Sequence, residues 1–247
     1  MEHTNEIQRL PLYLQVASAI EKRLQTKQWA ADQALPSEAR LSQLFNVSVG
    51  TVRKAVGELE DRGHLIRRHG SGTYVRRYAD AGYWHQFQRF QSIDQRIVRW
   101  TGELKRFERI PADKTVAEAL KIREGDNVIH VVRRVATDAA YRHLLDTAGW
   151  DQSWLRADVF ENLTPQAYTK YADLSLYELY EKAAGVIILD VSDTLEVLEV
   201  MGNPLDETEP AEPGPFFKVT RLSRTFGNQT VEYRLETPKC RGIKVVF

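Results

Sequence analysis

Between residues 11 and 29 apolar side chains recur at every fourth position, at Leu12, Val16, Ile20 and Leu24, with Glu21, Lys22 and Arg23 between them. That spacing predicts an amphipathic helix. After a break at residues 30–36, Ser37 stands as an N-cap ahead of a second stripe, Leu41, Leu44 and Phe45, which Asn46 ends. Ser48 is placed to cap a third helix. Its inward face, Val52, Ala55, Val56 and Leu59, has i, i+3, i+4, i+7 spacing, and Gly63 follows where a left-handed C-terminal residue belongs. Two β-prone runs, 64–68 and 73–77, flank His69-Gly70-Ser71-Gly72 and predict a basic hairpin.

Further along, the pattern predicts strands at 105–111, 128–137, 186–200, 216–225, 230–236 and 243–247. Helical spacing returns at 116–122, 153–163 and 174–184, the last stopped by Gly185. Long strands with few helices between them predict an α+β domain on an antiparallel sheet. Residues 78–92, rich in Tyr, Gln, His and Trp without a period, read as a linker, so the expected domains are 9–77 and 93–247. Three helices and a hairpin, with few residues between the second and third helices, are the layout of a winged helix-turn-helix. The second domain also carries an internal echo. Glu124-Gly125 precedes the Arg133 strand and Glu212-Pro213-Gly214 the Arg221 strand, while Leu145-Asp146-Thr147 and Leu235-Glu236-Thr237 lie on the returns.

Composition sharpens this picture. The 247 residues, 43% of them hydrophobic, supply cores for two domains. A net charge of zero hides a division: residues 1–80 carry 12 Lys and Arg against 9 Asp and Glu, and residues 81–247 carry 22 against 25. The surplus has the sign that nucleic-acid binding needs, but an ordinary solvated surface gives similar counts, so the motifs must decide. Cys240 has no cysteine partner for a disulfide or metal site, and no apolar run nears the roughly 20 residues of a membrane span. Residues 1–10 lack the apolar stretch of a secretory signal. The expectation is a cytoplasmic chain without membrane association, cofactor or metal.

The segments Leu35-Pro36-Ser37-Glu38-Ala39-Arg40-Leu41-Ser42, Phe45-Asn46-Val47-Ser48 and Thr51-Val52-Arg53-Lys54-Ala55, with Leu59, Gly63 and Gly70-Ser71-Gly72-Thr73-Tyr74-Val75, resemble the GntR DNA-binding domain. The second half is similar to the UTRA effector-binding domain of the HutC-type subgroup, whose fold resembles chorismate lyase. That likeness rests on element order and on Ala119-Leu120 and Gly125 ahead of the Arg133-Arg134 strand. An all-helical second domain, found in other GntR subgroups, does not fit the β-rich pattern, and an aminotransferase-like one needs a far longer chain. The resemblance implies a homodimeric transcription regulator with two partners, double-stranded operator DNA and a small-molecule effector. Repression relieved by effector is the commoner behaviour of such proteins.

In that arrangement the third helix lies in the major groove, where side chains near its N-terminus reach base edges. The DNA-binding candidates are Arg40, Ser48, Gly50, Thr51, Arg53 and Lys54, with His69, Gly70, Ser71 and Gly72 on the wing. Arg53 suits guanine O6 and N7 or a phosphate; Arg67, Arg68, Arg76 and Arg77 suit phosphates. Serines here serve equally as caps, and glycines as turn formers. Val49 stands where the family commonly has arginine and offers only contact with a thymine methyl, which puts the usual operator sequence in doubt.

The resemblance also implies effector-binding candidates. Arg133, Arg134, Arg221 and Arg224 would grip an anion, and Asp146, Glu232 and Glu236 would accept hydrogen bonds. Strand alternation puts Arg133 and Arg134 on opposite faces, so one cleft takes at most one of them. Cross-strand surface pairing would explain the same residues. Trp150, Trp154 and Tyr141 are candidates either to line the pocket or to fill a core. Departures from the family pattern fall at Asp138-Ala139-Ala140-Tyr141, at residues 202–215 and at Arg241-Gly242-Ile243, so no family ligand can be carried over.

Two other functions compete with this one. A lyase-like enzyme is the first, but fold does not imply activity, and no Ser-His-Asp set, metal-spaced cluster or phosphate loop is visible. Ligand turnover would identify it. The second is a DNA-binding dimer indifferent to ligands, which constant operator affinity would identify.

Overall fold

Helix α1 (Leu12–Gln25) turns Val16, Ala17, Ile20 and Leu24 inward and stops four residues short of the expected end. Helix α2 (Glu38–Phe45) begins where Ser37 Oγ accepts the Arg40 N–H and ends at Asn46, which adopts the left-handed conformation. Helix α3 (Val49–Asp61) starts in the same way, with Ser48 Oγ accepting the Thr51 N–H, and buries Val52, Ala55, Val56 and Leu59. Each cap is worth about 1 kcal/mol, enough to fix where a short helix begins. The structure, a computed structural model, describes residues 10–76, 87–92, 100–137, 149–200, 214–238 and 243–246.

Strands β1 (Leu65–Arg68) and β2 (Gly72–Val75) pair antiparallel. The turn is His69-Gly70-Ser71, so Gly72, expected in the turn, opens the second strand at φ +115°. A third rung comes from the segment before α2: Leu35 N–H donates to Thr73 O at 2.8 Å and Val75 N–H to Gln33 O at 2.9 Å. These elements make a winged helix-turn-helix.

The chain divides into two units, residues 1–80 with 226–228 and residues 81–225 with 229–247. In the second, strands β4 (Trp100–Pro111), β5 (Asn127–Thr137), β6 (Gly149–Arg156), β7 (Asp190–Val200), β8 (Gly214–Thr225) and β9 (Gln229–Pro238) form one antiparallel sheet in the order β4-β5-β6-β9-β8-β7. It consists of two three-stranded meanders joined at β6 and β9, with Arg133 and Arg221 each on a middle strand. Strands β3 (Phe90–Ser92) and β10 (Ile243–Val245) pair separately.

Helix α4 (Lys114–Leu120) packs Val116, Ala117 and Leu120 on one face of the sheet with Val128, Trp154 and Tyr233. On the other face lie α5 (Pro165–Lys170) and α6 (Leu176–Ala184), whose Tyr168, Leu179 and Tyr180 join Ile129, Val131, Leu155 and Phe160. A bulge between Leu104 and Arg106 shifts the phase of β4, so that Leu104 and Phe107 both reach this second face.

One expected element is wrong. Residues 153–163 are not a helix: β6 runs to Arg156, and turns follow. Leu155, Val159, Phe160 and Leu163 do share helical spacing, but Ser153 and Leu155 are buried while Gln152 and Trp154 are only partly so. That alternation is the period of a strand hydrogen-bonded between β5 and β9. Helix α5 was not expected, although Thr164-Pro165 is a capping residue followed by proline at the first helical position.

Candidate functional site

The first candidate surface is the start of α3 and the wing. Glu38, His69, Gly70 and Gly72 line one hollow, and Glu38 holds Arg53 through Nε and Nη2, at 3.0 and 2.9 Å. Arg40, Val49, Gly50, Lys54, His69, Gly70 and Ser71 are exposed. Ser48 and Thr51 lie against each other, their hydroxyl oxygens 2.9 Å apart, so capping already engages both. Lys54 Nζ sits 4.0 Å from the centre of the Tyr13 ring. At the wing, Ser71 and Tyr74 hydroxyls lie 2.6 Å apart, and Arg68 covers the Tyr74 ring. Glycine at position 70, with φ +72°, permits the tight turn that presents this tip. Arg77 falls outside the described residues.

The second candidate is a cavity of about 290 Å³ in the UTRA-like unit, between the sheet and the α5–α6 side. Arg133, Asp151, Arg221, Arg234 and Glu236 reach it from β5, β6, β8 and β9, and Tyr168 and Tyr177 from the helices. Arg133 donates to Asp151, and Arg234 donates to Glu236 at 2.8 Å. Arg221 donates to both oxygens of Asp193, at 2.6 and 2.8 Å, and to the Phe87 carbonyl at 2.7 Å. Arg89 adds a second cation 2.8 Å from Asp193. Burial alone would raise the Asp193 carboxyl, but its hydrogen bonds and charge contact with Arg221, then Arg89, hold it below the ordinary aspartate value.

Hydrogen bonds run in one direction beneath the cavity. Both Arg221 and Arg234 donate to the Tyr177 oxygen at 3.4 Å. Since Ser223 donates to Glu232, the Tyr177 O–H is left to donate to Ser223 Oγ, 3.0 Å away. Glu232 also accepts from Tyr180 at 2.8 Å and from Ser153 at 3.3 Å. Burial is the main reason Tyr168, Tyr177 and Tyr180 titrate above the ordinary phenol range, which keeps these hydroxyls neutral.

Arg133, Arg221 and Glu236 therefore meet in one cavity; the other effector candidates do not. Arg134 is exposed on the opposite face, as alternation requires. Arg224, out of phase with Arg221, binds Asp190 at 2.7 Å and Ser192 at 2.8 Å away from the cavity. Glu232 is fully buried under the cavity and orders its floor rather than lining it. Asp146 and Tyr141 lie outside the described residues. Trp154 belongs to the α4 face, stacked between His130 and Tyr233, and Trp150 does not line the cavity either.

Asp151, Asp193, Arg234 and the tyrosines were missed. Arg234 had a signal, because it lies midway between Glu232 and Glu236 on one strand and shares their face. Asp151 lies in the part of β6 ahead of residue 153, which no sequence pattern assigns to an element. Gly102 gave no signal: a Cβ there would stand 2.8 Å from Arg133 Nη1, so glycine lets the guanidinium lie across β4. Among the described residues no His, Cys, Asp and Glu group is placed to hold a metal ion, and no helix is long and apolar enough to cross a membrane.

Comparison with known proteins agrees with this architecture. Residues 12–75 match the family of bacterial regulatory proteins, gntR family, and residues 96–237 match the UTRA domain. The chain is 31% identical over 179 residues to the mannosyl-D-glycerate transport/metabolism system repressor MngR of Escherichia coli, covering 72% of this chain and 70% of that one. It is 32% identical to the histidine utilization repressor of Klebsiella aerogenes over 124 residues, about half of each chain. The fold of the second unit is that of the ligand-binding domain of a GntR-family transcriptional regulator from Bordetella bronchiseptica, with TM-score 0.54, 23% identity, and coverage of 65% of this chain and 96% of that one. These relatives are transcription regulators rather than enzymes. The chain belongs to the GntR family of bacterial regulatory proteins, as a HutC-type member that joins a winged helix-turn-helix to a UTRA domain.

Proposed function

We propose that this regulator is a cytoplasmic homodimeric repressor whose operator affinity changes when a small molecule occupies the UTRA cavity. In this reading residues 9–77 bind DNA, 78–92 link the domains, and 93–247 bind effector and dimerise. The observation that carries it is the furnished cavity: four arginines, three carboxylates and aromatic side chains line about 290 Å³ of space. Arg133, Arg221, Arg234, Asp151 and Glu236 are the effector contacts. Two relatives are named as repressors, one of a glycerate-conjugate system and one of histidine utilization, and their names support the repressor assignment.

On the DNA side, Arg40, Arg53 and Lys54 contact phosphates or guanine, Ser48, Gly50 and Thr51 line the groove approach, and His69 to Gly72 enter the minor groove. Paired domains then read a near-palindromic operator. The test is fluorescence anisotropy with DNA flanking the chain's own gene, at several salt concentrations. The expected result is specific, salt-dependent binding that the Arg40→Ala, Arg53→Ala double variant loses. Unchanged affinity in that variant would overturn the contact assignment.

A further inference from the structure

Four guanidinium groups line the cavity: Arg89, Arg133, Arg221 and Arg234. Each already faces a carboxylate. Arg133 is paired with Asp151, Arg234 with Glu236 and more distantly Asp151, and both Arg221 and Arg89 with Asp193. Glu232 is the fourth carboxylate, with its oxygens filled by hydroxyl donors. Among the described residues these four guanidinium groups therefore face four carboxylates, Asp151, Asp193, Glu232 and Glu236.

Pairing of each of these guanidinium groups with a carboxylate bears on the ligands they can take. A phosphate dianion would bring two uncompensated charges into a partly dry site, or would displace a carboxylate and strand it. What remains available is hydrogen bonding of both kinds. The Arg133 and Glu236 side chains keep 13% and 19% of their surface accessible, so guanidinium N–H donors and carboxylate acceptors both meet the cavity. Phe87, Phe90, Tyr168, Tyr171 and Tyr177 supply aromatic surface for the C–H faces of a ring. A rigid compound with many hydroxyls and one apolar face meets both demands.

We propose that the cavity takes an uncharged polyhydroxylated ligand, in chemical class a free sugar or glycoside, and discriminates against its phosphate ester. The proposal rests on the effector-site reading and narrows it. Ion pairs here serve as paired donors and acceptors for hydroxyl groups rather than as a seat for an anion.

The test uses the full chain in thermal-shift and calorimetric titrations with matched compounds: aldohexoses and disaccharides, their methyl glycosides, the hexose 6-phosphates, and inorganic phosphate at constant ionic strength. At least one uncharged member is expected to bind, and its phosphate ester about tenfold or more weakly. Inorganic phosphate is expected to leave the wild-type midpoint unchanged but to raise that of Glu236→Gln, in which Arg234 has lost its nearer carboxylate. Asp151→Asn provides the same readout should Glu236→Gln fold poorly. Tighter binding of a phosphate ester, lost in Arg133→Ala, would overturn the ligand class and leave the effector site standing. Absence of binding by every member, charged or not, would overturn the ligand class, while the effector-site reading falls only if no metabolite of any class changes operator affinity.

Discussion

Arg53 meets Glu38 at 2.9 Å with 65% of its side chain exposed, whereas Arg221 meets Asp193 at 2.6 Å with only 6% exposed. Near-identical geometry has different consequences because water differs. An exposed pair is screened, contributes little, and gives up its arginine readily to a phosphate. Inside the UTRA unit the pair is held by a second cation, Arg89, and by the Phe87 carbonyl, so neither partner is free to leave. The exposed arginine can exchange its partner; the buried one is held in place.

Breaking the buried pair is expected to have the largest effect. Asp193→Ala leaves the Arg221 guanidinium buried without its carboxylate and should destabilise the chain by about 3–5 kcal/mol in urea denaturation. A loss under about 1 kcal/mol would mean that water reaches the pair, as at surface bridges. Next is Tyr180→Phe, which removes one of the donors to the fully buried Glu232 and should cost about 1–3 kcal/mol by the same measurement.

The pH dependence is smaller but has a definite sign. Asp193 titrates below its unfolded value, which is near about 3.9, so its stabilising contribution is fully present above that pH and disappears as pH falls through the lower folded value. Asp193→Asn should therefore flatten the acid limb of a stability–pH curve recorded between neutral pH and pH 2 to 3. An acid limb as steep as wild type would assign that loss to other carboxylates. Arg53→Ala should leave the unfolding midpoint unchanged, while operator affinity falls and the salt slope decreases by about 1 if Arg53 contacts a phosphate. A shifted midpoint would show that the Glu38 pair stabilises the fold after all.

The two units also differed in how readily they were read. In the first, local chemistry fixes the outcome: Ser37, Asn46, Ser48 and Gly63 mark helix ends through contacts within a few residues, and one stripe per helix names the core. In the second, distant strands supply each partner. Arg221 finds Asp193 28 residues away, and Ser153 finds Glu232 79 residues away, distances that helical and strand periodicity do not encode. Alternation along a known strand did separate Arg133 from Arg134. It did not reach Asp151, because the only pattern along β6 begins at residue 153 and has helical spacing, and Arg224 needed the phase of β8, which only pairing fixes.

The central claim is that occupancy of the UTRA cavity sets the operator affinity of the winged helix-turn-helix. Operator anisotropy in wild type and Arg133→Ala, each with and without the compound that calorimetry shows to bind, tests it most directly. The account predicts similar affinities without ligand, a ligand-induced change in wild type, and none in the variant. A ligand that saturates the wild-type cavity while its operator affinity stays the same would contradict it.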